Sequence, residues 1–210
     1  MRYDIESEYT KIVKEIINCK KCELYKTRTN AVPGEGPLNA KVMLIGEAPG
    51  KSEDLQGRPF VGMAGKLLTE LLESIGVSRR NVYITNLIKC RPPENRDPLP
   101  REIIACSPYL DKQIELIKPK IIITLGKHST KYILSKAGIH VSSISKIRGK
   151  VYYLYILGLK IKIIPTYHPA AALYNPKIKG LLKHDFENII KREITNLDHS
   201  IVTSIEDFLR

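Results

Sequence analysis

The sequence predicts an α/β fold, with a parallel or mostly parallel sheet covered by helices on both faces. Three observations predict it. Short, continuous apolar runs such as Lys41–Ile45 and Lys120–Leu125 read as strands buried on both sides. Segments with apolar residues three and four apart alternate with those runs and read as helices. Gly- and Pro-rich stretches separate the two kinds, and no internal repeat or low-complexity tract interrupts the alternation.

The elements follow in order. Tyr9, Ile12, Val13, Ile16 and Ile17 fall at helical spacing, so the chain opens on an amphipathic helix that runs into a Cys19–Cys22 turn. Ala31–Pro37 is loop. Lys41–Ile45 is the first strand and ends at Gly46. Met63, Leu67, Leu68, Leu71, Leu72 and Ile75 mark a helix closed near Gly76. Asn81–Asn86 is the next strand, and the Pro-rich loop Arg91–Pro100 follows it. Pro100 suits the first position of a helix carrying Ile103, Ile104, Tyr109 and Leu110. After the strand Lys120–Leu125 comes a helix over Gly126–Leu134. Val151–Pro165 holds two strand-like runs broken by Gly158, a hairpin-like pair, and a last helix covers Lys179–Ile194. Ligands of such sheets bind beyond the carboxyl ends of the strands, so the loops after Ile45, Thr85 and Ile164 are the ones to search.

A chain of 210 residues with 43% apolar residues forms one domain with small appendages at most. It has no apolar run long enough for a membrane helix, and Met1–Glu6 lacks the apolar centre of a signal peptide; a cytoplasmic location is expected. Lys and Arg number 34 against 22 Asp and Glu, a formal charge of +12, which suits a polyanionic partner, nucleic acid first.

Four cysteines form two pairs, Cys19-x2-Cys22 and Cys90-x15-Cys106, with none left over. The first pair has chelate spacing and the second lies far downstream, so one metal or cluster would tie two distant segments together. In this setting metal is favoured over two disulfides or four buried thiols. Spacing alone does not separate a zinc ion from an iron–sulfur cluster, because four thiolates serve both.

The loops carry the remaining signals. Gly46-Glu47-Ala48-Pro49-Gly50 allows close backbone approach to a ligand and contains one carboxylate, Glu47. Farther along, Phe60 sits among glycines and a proline, where a flat ring can stack on a base or anchor the loop. Asn86 ends a strand and offers a donor and an acceptor that match a base edge. His168, in Tyr167-His168-Pro169, can donate to a carbonyl or to a growing negative charge. These features also fit a non-catalytic, metal-stabilised nucleic-acid-binding module, which would have no reason to gather them on three strand ends.

In their joint order these stretches resemble the family 4 uracil-DNA glycosylases, the iron–sulfur branch of the uracil-DNA glycosylase superfamily. The resemblance rests on GEAPG at 46–50, GRPFVG at 57–62, ITN at 84–86, KCRPPENRDPLP at 89–100, HPAAAL at 168–173 and the four cysteines. It covers about Cys19 to Leu173 and implies a three-layer α/β/α fold with a central four-stranded, mostly parallel sheet; residues 1–195 are expected to form the single domain, and 196–210 a short tail outside the resemblance. It implies a [4Fe-4S] cluster on Cys19, Cys22, Cys90 and Cys106. The implied function is DNA repair: uracil left by cytosine deamination is flipped out of single- or double-stranded DNA and its N-glycosidic bond hydrolysed, leaving an abasic site for base excision repair. Base flipping is needed because the reacting bond is out of reach inside a duplex.

The resemblance also assigns roles. Phe60 stacks on uracil, Asn86 reads its 4-carbonyl and ring N–H, and Glu53 walls off the thymine methyl. His168 and backbone amides at Ala48 stabilise the departing uracil anion, and Glu47 places or activates water. Ala48 stands where other branches carry Asp or Asn, so Asn95 is a second candidate for the water. No lysine stands as a Schiff-base nucleophile, so a monofunctional enzyme is expected. Leu173 is the candidate wedge into the duplex, and Arg91, Arg96, Lys89 and Lys146 are candidate phosphate contacts. Activity on other deaminated bases is the rival within the class. The expected state is a monomer associated with the nucleoid. In the tail, Ile205 with Phe208-Leu209 resembles a sliding-clamp-binding peptide, with Val202 where a Gln is usual.

Overall fold

The structure is a computed structural model and describes residues 4–197. Five strands form one sheet: β1 Val42–Gly46, β2 Tyr83–Asn86, β3 Ile121–Leu125, β4 Tyr152–Ile156 and β5 Leu159–Thr166. Their order across the sheet is β2-β1-β3-β5-β4. Every pair is parallel except β4–β5, a hairpin turned at Leu157-Gly158. The expected four-stranded sheet is therefore corrected to five. The extra strand is β4, whose half-exposed pattern marks it as the sheet's edge.

Alternation along the strands divides the core in two. Met43, Ile45, Ile122 and Ile163 face one layer, which holds α1 (Ile5–Ile17), α4 (Pro100–Ile117) and α5 (Lys127–Ser135). Val42, Leu44, Ile123 and Ile164 face the other, built on α3 (Met63–Ser74), α7 (Pro176–His184) and the π-helical turn Asp185–Ile190 that continues it. The three-layer α/β/α arrangement thus follows from the strand pattern. Helix ends match their sequence signals. Pro100 opens α4, where the Glu102 carboxylate accepts from Leu99 N–H at 2.8 Å, and Asn175 caps α7 by accepting from Ile178 N–H. The last helix begins at Pro176, before the predicted Lys179. Two short helices, α2 (Lys51–Gln56) and α6 (Pro169–Ala172), fall in segments that read as loop. Both are too short to show a helical period.

Parallel register brings the strand ends together: Gly46 pairs with Asn86 and Leu125 with Thr166. Four loops therefore leave the sheet at one edge. The tail Val202–Leu209 lies outside the described residues. Among the described residues, no helix is long and apolar enough to cross a membrane.

Candidate active site

At that edge lies a cavity of about 420 Å³, lined by Glu47, Ala48, Glu53, Phe60, Asn86, Asn95, Arg96 and His168 among others. Its size is that of a small-ligand site. Loops from β1, β2 and β5 each supply part of the wall, as the strand-end argument requires.

Asn86 is 1% exposed, and its Oδ1 is the one buried side-chain polar atom without a hydrogen-bond partner among the described residues. Buried polar groups are nearly always satisfied, so an orphan acceptor on a cavity wall marks a place for a donor. The backbone beneath it is fixed: Lys89 Nζ donates to Asn86 O at 2.8 Å. Gly46 makes the arrangement possible. A Cβ there would collide with Asn86 Oδ1 and lie 2.6 Å from the Phe60 ring.

Phe60 holds a positive φ of 51°, a conformation costly for an aromatic residue. Contacts from two sides impose it. Arg79 donates to Pro59 O at 2.6 Å and to Phe60 O at 2.9 Å, and Gly65 packs so closely that a Cβ would overlap the Phe60 carbonyl. On the other side, Glu53 accepts from Val61 and Gly62 N–H at 2.8 Å each and from Gly50 N–H at 3.2 Å. The Glu53 carboxylate thus braces the loop as well as lining the cavity, a role that its loop position did not reveal. The Phe60 and His168 rings stack with centroids 5.5 Å apart.

His168 Nδ1 accepts from Ala170 N–H at 3.1 Å, which leaves Nε2 as the protonated, donating nitrogen. Removal from water lowers its pKa to about 4, so the ring is a neutral donor at physiological pH. Glu47 moves the other way: burial raises its carboxyl, Asp97 adds to that, and His128 and Lys127 oppose it. His128 Nε2 lies 3.9 Å from Glu47 and 3.1 Å from Asp97. Neither His128 nor Asp97 was singled out in the sequence, where 31 residues separate them. The signal available was His128's place directly after a strand end.

The candidate DNA contacts divide. Arg91 donates to Asn95 Oδ1 at 2.8 Å and so holds a cavity residue, and Arg96 forks onto Glu102 at 2.6 and 2.9 Å. Lys146 is exposed. Leu173 is half-buried against the second core layer, and the next residue, Tyr174, is 93% exposed. Lys89 is corrected outright. It is 1% exposed, with its Nζ bonded to Thr85, Asn86 O and Gln113, and cannot reach a phosphate.

The cysteines meet as predicted. Cys19 and Cys22 follow α1, Cys90 follows β2, Cys106 lies on α4, and all four line one cavity as free thiols. Arg28 Nη1–H donates to Cys90 Sγ at 3.0 Å and Lys89 N–H to Cys106 Sγ at 3.2 Å. Burial pushes the Cys106 thiol up to about 12 and raises Cys22 and Cys90, so bare thiolates are disfavoured until a cation joins them. Four converging sulfurs with N–H donors aimed at two of them fit a thiolate-bound metal group.

Residues 33–192 match the uracil DNA glycosylase superfamily. The chain is 58% identical over 192 residues to a type-4 uracil-DNA glycosylase of Sulfurisphaera tokodaii, covering 91% of this chain and 87% of that one. It is 59% identical over 179 residues to the type-4 enzyme of Saccharolobus solfataricus, covering 85% and 83%. With the type-4 enzyme of Archaeoglobus fulgidus it shares 51% over 178 residues, covering 85% and 89%.

Proposed function

The chain belongs to the uracil-DNA glycosylase superfamily, in its type-4 branch, and from that premise we propose that it hydrolyses the N-glycosidic bond of uracil flipped out of DNA, leaving an abasic site without cutting the strand. The observation that carries this reading is the orphan Oδ1 of Asn86 beside the Phe60 ring. The uracil ring N–H supplies the missing donor, and the Asn86 amide N–H faces the 4-carbonyl. Cytosine carries an amine in place of that carbonyl, and so leaves the fixed amide mismatched; such sites discriminate by about 10⁴-fold. Thymine is rejected by shape, with the braced Glu53 in the wall.

Cleavage leaves positive charge on the sugar and negative charge on the base. Neutral His168, donating through Nε2–H, and the backbone at Ala48 stabilise the uracil anion. Glu47 orients or deprotonates water and offsets the sugar's charge, with Asn95, held by Arg91, as the second polar group for that water. In this reading Arg91, Arg96 and Lys146 contact the DNA backbone, and Leu173 fills the gap left by the base.

Cys19, Cys22, Cys90 and Cys106 hold a [4Fe-4S] cluster in this reading. Its contribution is structural, tying α1 and α4 to the Arg91–Pro100 loop. Purified protein should be brown with iron and sulfide bound; a colourless, zinc-containing preparation would overturn the cluster.

The deciding experiment treats U·G, U·A, T·G and C·G duplexes, and duplexes containing hypoxanthine or xanthine, with protein and then alkali. Alkali-labile sites at uracil alone support the proposal. Intact DNA throughout means a binding module, and cleavage of hypoxanthine or xanthine duplexes means a broader glycosylase. A sliding clamp as partner rests on the tail sequence alone. Deleting 200–210 should abolish clamp binding and spare activity on short duplexes.

A further inference from the structure

His128 is the second residue of α5, at the end of β3, and stands between the loop after β1 and the loop after β2. Its Nε2 lies 3.1 Å from Asp97 Oδ2 and 3.9 Å from Glu47 Oε2, and the three ligand atoms all lie within 4.8 Å of one another. The imidazole is largely enclosed, at 17% exposure, and Glu47 is 27% exposed; Asp97 is open at 76%. One Nε2–H serves one carboxylate oxygen well, so the two carboxylates compete for it.

We propose that His128 is the positioning residue for Glu47: its Nε2 side attracts the Glu47 carboxylate and holds it ionised at the cavity mouth, while Asp97 draws the same group away. The proposal rests on Glu47 being the residue that handles water. The charged and titratable groups facing Glu47 are His128 and Lys127 from α5 and Asp97 from the loop after β2. Burial already favours the neutral acid, and a neutral Glu47 can neither orient water as an acceptor nor offset charge on the sugar. Without His128, only Lys127 opposes that tendency. Without Asp97, a repelling charge is gone and Nε2 is free for Glu47. The two removals therefore act in opposite directions. Two residues that merely pack the same corner would both weaken the enzyme in the same sense.

The test measures kcat/KM for uracil release from a single-stranded oligonucleotide across pH 5–9, for the wild type, His128→Gln, Asp97→Asn and Glu47→Gln, with thermal midpoints in parallel. His128→Gln should move the acid limb upward by about one pH unit, a loss of about tenfold on that limb and little loss above it. Asp97→Asn should move the limb downward. Glu47→Gln should be poorly active with the limb abolished. Superimposable limbs for wild type and His128→Gln, or an Asp97→Asn shift in the same direction as His128→Gln, would sink the proposal. If His128→Gln fails to fold, the direction of the Asp97→Asn shift still decides. If Glu47→Gln keeps the wild-type profile, Glu47 is not the ionising group and the proposal falls, while uracil release by the wild type keeps the glycosylase reading intact.

Discussion

Thr85 and Asn86 are neighbours on β2, and both are out of contact with water, yet their surroundings are opposite in kind. Thr85 Oγ1 donates to Pro33 O at 2.8 Å and accepts from Lys89 Nζ at 2.6 Å. Lys89 Nζ also reaches Gln113 Oε1 at 2.8 Å, and Gln113 Nε2 reaches Pro33 O and the Tyr83 hydroxyl. Tyr83 in turn meets the Tyr9 hydroxyl at 2.8 Å. That network is closed on itself. Asn86, pointing to the other face, ends in an oxygen with no partner. A satisfied buried network rigidifies a scaffold, whereas an unsatisfied buried acceptor waits for something from outside. One strand end therefore separates what holds the site from what acts in it.

The largest test of that division is Asn86→Ala. If the amide exists for the ligand, uracil release should fall about 10³-fold or more, while the thermal midpoint holds or rises, because an orphan acceptor has been removed. Asn86→Asp should weaken uracil release and relax rejection of cytosine, read as abasic sites in C·G duplexes. A large loss of stability with unchanged base preference would place Asn86 with the scaffold.

Next in size is His168→Gln, expected to lower kcat by about 10²–10³-fold, as loss of one preorganised donor does. Its folded pKa of about 4 lies below the unfolded value, so the neutral form is the native one. The wild type should therefore show no change in the charge of His168 between pH 5 and 9. Folding stability tied to this ring is fully present above about pH 6.5 and declines as pH falls toward 4. An NMR titration showing the His168 ring protonating near pH 6.5 would break the assignment.

On the scaffold side, Lys89→Met should behave in reverse. It leaves the Asn86 carbonyl, Thr85 and Gln113 without their shared donor, and should cost about 2–4 kcal/mol in denaturant unfolding. Base preference in the molecules that remain folded should be unchanged.

How much of this was legible in the sequence depends on whether a feature is local. The strand ends, the Pro100 helix start and the clustering of Glu47, Phe60, Asn86 and His168 follow from period, turn residues and parallel connectivity. Lys89 was misread because its charge suggests a surface. The signal against that was the apolar run Leu87-Ile88 before it and Cys90 after it, all buried. Glu53 was placed in the cavity wall, but its grip on the amides of Val61 and Gly62 depends on a loop conformation that no periodicity encodes. The His128–Asp97 contact joins two loops through the third dimension. The edge strand, by contrast, was legible as the first of the two runs broken by Gly158, and the count of four strands came from the family resemblance.

The smallest effect concerns two carboxylates, Glu47 at the cavity rim and Glu102 behind the lining residue Arg96, that repeat the contrast between Thr85 and Asn86. Glu102, 1% exposed, accepts from Arg96 at 2.6 and 2.9 Å and from Leu99 N–H; the Arg96 bond, then that amide, holds its carboxyl below the ordinary value. Glu47 is raised by burial. By linkage, a depressed carboxyl stabilises the fold above its unfolded pKa, and this contribution is lost as pH falls through the folded value. A raised carboxyl does the opposite and burdens the fold at neutral pH. Glu102→Gln should therefore lower the thermal midpoint at pH 7 by about 2–4 °C, roughly 1 kcal/mol, with the difference from wild type shrinking as pH falls below the ordinary carboxylate range. Glu47→Gln should leave the midpoint at pH 7 unchanged or slightly higher, despite its loss of activity. If both variants lost stability alike at pH 7, Glu47 would belong with the scaffold, and the line drawn between Thr85 and Asn86 would not extend to the rim.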